Sequence, residues 1–329
     1  MEIGIRKKFI NNPSLFYSMS IAATWAGPAS FFVGTSTAQG QGFIPAILWG
    51  IGNTLACIVF GICASRVPKL RDVFMSKPAL TIIGLMAMFQ VWLSMQGISE
   101  ALGGTVIGQQ AATVITYIMA FGFFILYLKD ALIRNVLTDN GSWSVVYILI
   151  TILAFVSIAM NGVHGIPLGT EPSAIADGAM KMVRLLPGCF IYPAFWQLYA
   201  YNDSNEDGTS KVDMQRAFIV GGLMFGVYLL FILLMAFTSF SPATELLKGI
   251  LITLVASSTL SSFIYGIFVS FGKRLGAAIN FAAIALWQLL VPLGVVGIWS
   301  LMADIRIFLV VAGFAVAIVW RVREKCLEA

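Results

Sequence analysis

Residues 20–42 read SIAATWAGPASFFVGTSTAQGQG, and residues 183–201 read VRLLPGCFIYPAFWQLYAY. Both are apolar runs of membrane-crossing length broken by proline beside glycine. The first holds Gly27-Pro28, the second Pro187-Gly188 and then Pro193. Proline removes a backbone donor and clashes with the preceding turn. In hydrocarbon, backbone left unpaired costs several kcal/mol unless protein or a cavity satisfies it. One such interruption is an ordinary proline kink. Two, about half the chain apart, are the pattern of a transporter in which each of two matching halves opens with a broken helix.

Composition places these runs in a bilayer. The 329 residues are 59% hydrophobic and only 11% charged, with mean hydropathy +0.91, whereas a soluble domain is about 25% charged. A membrane helix needs about 20 apolar residues. Ten segments qualify: 15–36, 43–65, 79–99, 105–128, 142–163, 183–201, 214–239, 246–271, 275–300 and 303–320. The longest loops between them are 164–182 and 202–213. The expected fold is an all-α polytopic membrane protein: one transport domain over residues 1–329, with repeats at 15–163 and 183–320 in inverted topology. The basic start followed by an apolar run imitates a signal peptide, and is read as an uncleaved first span because nine more segments follow.

Loop charge sets the expected orientation. With the N-terminus inside, sixteen of the 20 Lys and Arg residues fall on the inner side, leaving Lys181, Arg184, Lys248 and Arg306 outside. Cytoplasmic loops carry such an excess. Both termini are therefore expected in the cytoplasm, in a bacterial-type inner (plasma) membrane. The net charge of +5 is scattered with no basic block, so nucleic acid is not an expected partner. Cys57, Cys63, Cys189 and Cys326 have no metal or redox spacing. No catalytic dyad or histidine cluster supports an enzyme.

Residues 254–262, LVASSTLSS, are the third feature. Ser258, Ser261 and Ser262 are spaced i, i+3, i+4 and share one helical face, while Thr259 is expected to point elsewhere. Hydroxyls, with carbonyls freed at the first break, would form an oxygen cage for sodium. Two plainer readings stand beside it: hydroxyls bonding their own helix, and small residues allowing close packing.

Four stretches together resemble the sodium/solute symporter family, within the leucine-transporter-like five-plus-five fold. They are AATWAGPASFFVG (22–34) with GFIPAILWGIGNTLACIVFG (42–61), RNVLTD (134–139), LPGCFIYPAFWQLYAY (186–201) and KGILITLVASSTLSS (248–262). The third lacks an arginine that the family often carries there, and the chain looks trimmed to the ten-helix core. The family's sodium motif, Ala-x-x-Ser-Ser, fits in two registers, Ser258-x-x-Ser261-Ser262 or Leu254-x-x-Ser257-Ser258. In the first, the resemblance implies Na+ as coupling ion, bound by the Ser261 and Ser262 hydroxyls and the carbonyls of Ser258, Ala23 and Ala26. It also likens Asp139 to a family aspartate, though as a loop-end acid it is expected to be solvated.

The family implies a small-molecule solute site near the membrane midplane. Trp92 and Gln96, at i and i+4, offer a stacking surface and a hydrogen bonder on one face. Tyr192, Trp196 and Gln197 lie on the sixth segment, and Trp25 and Gly27 border the first break. No charge falls near the middle of any segment so drawn, which points to a neutral or zwitterionic solute. The expected function is sodium-coupled symport. A sodium-independent facilitator or exchanger, or a transporter-derived sensor, are the alternatives.

Overall fold

The structure, a computed structural model, describes residues 13–128, 132–204 and 212–328. The charged N-terminal stretch with Arg6, Lys7 and Lys8, and most of the 202–213 loop, lie outside the described residues. All regular structure among the described residues is helical. Seven helical stretches are long and apolar enough to cross a membrane. The chain is a polytopic helical membrane protein.

The first apolar segment forms two short helices, α1 (Pro13–Trp25) and α2 (Ala29–Gly40), on either side of the Ala26–Pro28 break. Then come α3 (Phe43–Arg66), α4 (Pro68–Phe74), α5 (Lys77–Gly103), α6 (Gln109–Tyr127) and α7 (Leu132–Asn161). The second half begins with α8 (Pro172–Leu185), followed by a tight turn at Gly188–Ile191 and α9 (Pro193–Ser204). It continues through α10 (Met214–Met235), α11 (Pro242–Leu286) and α12 (Gly294–Glu328). α11 bends at Gly272, whose φ of 74° only glycine adopts at little cost.

Two boundaries differ from the sequence expectation. Most of the 164–182 loop's second part is the helix α8, which packs along α3. It need not cross the membrane, so it carries no long apolar run and buries only Gly178 and Leu185. The last two segments divide at residues 287–294, not near 301. Pro292 cannot join a helical ladder, and Gly294 restarts the chain with φ 65°. Glu100 then accepts the Val295 N–H at 2.9 Å. That carboxylate, expected at an interface, anchors the first turn of α12 at its positive end.

α5 and α11 pack on each other along their lengths and form the centre. α12 packs on α5, α7 packs on α11, and α10 covers α1 and α3. On the periphery, Val114, Ile118 and Ile125 of α6 are more than half exposed, a face that lipid can cover.

Candidate functional site

At the end of α1 the Ala26 N–H still closes a helical bond to Ala22 O, at 2.9 Å. The next donors defect. Gly27 N–H turns to Trp25 O at 3.1 Å, Pro28 has no N–H, and Ser30 N–H goes to Gly27 O at 3.0 Å. The carbonyls of Ala23 and Ala26 thereby lose their helical partners at the negative end of α1. The Thr259 hydroxyl of α11 reaches both, 2.6 Å from Ala26 O and 3.5 Å from Ala23 O. It also lies 3.1 Å from Val255 O of its own helix. A hydroxyl has one proton to donate, so three acceptors converge on a single donor. Neutral oxygens gathered this way suit a hard cation, and unwound carbonyls beside a half-helix end are a known means of holding sodium.

Asp139 lies against the same pair of helices. α7 starts at Leu132, so Asp139 sits about two turns inside it. It is fully buried, not solvated at a loop end as expected. Its two oxygens accept from Ser20 Oγ and Ser258 Oγ, each at 2.7 Å. Thr24 and Ser262 hydroxyls meet 3.0 Å apart on this side. Burying a carboxylate is costly unless hydrogen bonds replace its water, which accounts for so many hydroxyls in an apolar stretch.

The hydroxyl run is thus divided differently from the expectation. Ser258 and Ser262 face α1 and α7. Ser261 donates to Ser258 O at 2.9 Å within its own helix, so the Ser258 carbonyl expected at an ion is engaged by Ser261. Ser262 of the first register meets Thr24 of α1, the residue next to Ala23. Thr259, expected to point away, is the residue at the break carbonyls. One residue rotates a helix by about 100°, and the spacing of identical serines carries no absolute rotation.

Three of the expected solute residues come together. Trp25, Gly27 and Tyr192 line a cavity of about 30 Å³ with Asn53, Gln90 and Arg306. One water needs about 10–15 Å³ on this measure, so the cavity has room for roughly two or three waters. The Trp25 indole donates to Asn53 O at 2.9 Å and its ring lies 5.1 Å from that of Tyr192. Gln90 Nε2 donates to the Tyr192 hydroxyl.

The other expected residues serve elsewhere. The Trp92 indole donates to Ala283 O at 2.7 Å, and Gln96 accepts from the Trp287 indole at 3.0 Å. The two do share a face, but that face meets the last turn of α11 and Trp287 just beyond it. Trp196 stacks on Phe74 with ring centroids 5.1 Å apart and donates to Phe190 O at 2.8 Å. Gln197 lines a separate cleft of about 380 Å³ with Tyr127, Tyr265 and Lys273.

Arg306, assigned to the outer end of a span, is 2% exposed. Its guanidinium carbon lies 6.0 Å from the Trp25 ring centroid. Arg306 lies near the middle of the apolar stretch Val291–Trp320. This overturns the premise that no charge falls near the middle of a span, and with it the argument for a neutral or zwitterionic solute. Asp139 stands at the first residue of its apolar stretch. The signal was in the sequence. The apolar run after Arg306, residues 307–320, is shorter than the roughly 20 residues a crossing needs. The helix therefore had to reach back past the arginine.

No family model matches the chain, and no curated protein matches it.

Proposed function

We propose that the chain is a secondary active transporter that couples sodium entry to uptake of a small solute. The convergence of the Ala23, Ala26 and Val255 carbonyls on the Thr259 hydroxyl carries this reading. A sodium ion there would have these carbonyls and the hydroxyl as neutral ligands. The adjacent Asp139 supplies the compensating charge within the same helix contact. The cavity read as the solute site is lined by Trp25, Gly27 and Ser30 of the same break, so one broken segment would serve both ligands.

The packing supports ten spans in inverted repeats. When the halves are exchanged, α5 against α12 corresponds to the first part of α11 against α7, and both pairs pack extensively. α5 with α11, and α3 with α10, each pair matching positions of the two halves. The bias of basic residues supports cytoplasmic termini in a bacterial-type inner membrane. A second reading is proton coupling, favoured by the buried Asp139, since a carboxyl among hydroxyls can carry a proton in place of an ion.

The test is thermal unfolding of the purified chain in sodium, potassium and choline chloride at equal ionic strength. Sodium alone should raise the midpoint, and Thr259→Val should remove that rise. Identical curves in all three salts would reject sodium coupling. A proton-driven protein would respond in liposomes to a pH gradient and not to a sodium gradient.

A further inference from the structure

Arg306 brings a positive charge into the cavity beside the first break. Among the described residues it makes no ion pair, and its Nε has no hydrogen-bond partner. Among the described residues, the cavity lining contains this one cation and no carboxylate. Space for the guanidinium is built in. At Gly188, in the second break, a Cβ would meet both the Trp25 ring and an Arg306 terminal nitrogen. A buried charge with no ion-pair partner carries a large desolvation cost, and ionisable groups within a membrane protein mark ligand pathways.

We propose that this cavity takes a small organic monocarboxylate, held through its carboxylate by Arg306. The planar guanidinium fork matches two carboxylate oxygens at once, which is the reason arginine serves such sites better than lysine. Trp25 and Tyr192 flank the charge with apolar ring surface for the solute's body. Asn53 and Gln90 leave a few polar groups at the wall. Among the described residues no lining acid is available for an ammonium group, so the preferred solute is a net anion and not an amino-acid zwitterion. The inference rests on reading the cavity as the transporter's solute site.

The test uses the purified full-length chain at fixed sodium. Straight-chain monocarboxylates from formate to butyrate are each compared with the corresponding primary amide by thermal shift. At least one carboxylate should bind about tenfold or more tightly than its amide, a discrimination of about 1.4 kcal/mol. Arg306→Gln should bring the pair to parity, and Arg306→Lys should retain part of the preference. Equal binding of acid and amide by the wild-type chain, which needs no variant to fold, overturns the proposal. So does a panel in which no carboxylate shifts the wild type. The two readings fail separately. Arginine-dependent carboxylate binding that ignores sodium removes the coupling and leaves the anion site. A sodium response with preference for amides does the reverse.

Discussion

The two proline breaks look alike in sequence and do opposite work. At Ala26–Pro28 the chain leaves carbonyls of Ala23 and Ala26 unmet by their own helix, and another helix brings a hydroxyl to them. At Leu186–Tyr192 the chain satisfies itself. Phe190 N–H reaches Pro187 O at 3.1 Å, Tyr192 N–H reaches Cys189 O at 3.3 Å, and the Trp196 indole closes on Phe190 O. Phe60, Phe74 and Trp196 pack around that turn. The first break is a cluster of converging oxygens and the second a self-bonded turn packed in aromatic rings. A proline fixes where a helix stops; what the stop becomes depends on the side chains that arrive from elsewhere.

Substitutions should separate the two roles. Trp196→Ala, at the second break, should cause the largest loss of stability, about 3–5 kcal/mol for a buried tryptophan, read as the fall in thermal midpoint. Its sodium-induced shift should persist. Should that shift vanish too, the breaks are not independent. Gly188→Ala forces a methyl group against Trp25 and Arg306 and should cost about 1–3 kcal/mol through overpacking. It should weaken solute binding more than sodium binding, because the crowded groups belong to the cavity.

Asp139→Asn probes the first break. It removes the charge and keeps the shape, so the half-saturating sodium concentration should rise about tenfold, equivalent to about 1.4 kcal/mol. An unchanged sodium titration would make the carboxylate structural only. Ser261→Ala should have the smallest effect, about 0.5–1 kcal/mol for one hydrogen bond within the helix. Its sodium titration should match the wild type. A loss of sodium response there would restore the register expected from the sequence and displace Thr259.

Much of the architecture was legible because it follows from composition and from backbone chemistry. Apolar length marks where a chain can cross, and Gly27-Pro28 marks where a helix must stop. The site was legible only in part. Trp25, Gly27 and Tyr192 border a break and so were placed by it. Trp92 and Gln96 were grouped correctly on one face, yet nothing in a spacing says which neighbour that face meets. Thr259 was missed for the same reason. The burial of Asp139 was missed because the residue follows RNVLT, a stretch that reads as loop, and because its hydrogen bonds come from Ser20 and Ser258 of distant helices. Arg306 was missed through a boundary drawn a few residues late, which moved a buried charge to a membrane edge.

Arg306 is also fixed to the protein, and this has an electrical consequence. The charge that crosses the membrane is that of the cargo, not of the residue that holds it. One sodium ion carried with one monocarboxylate sums to zero, so the transport cycle would be electrically silent. Uptake would then follow the sodium concentration ratio and gain nothing from the about 2.3 kcal/mol per 100 mV available to an uncompensated charge. In liposomes, imposing an inside-negative potential with a potassium ionophore should leave the initial uptake rate nearly unchanged, where a neutral solute on the same scaffold would be accelerated.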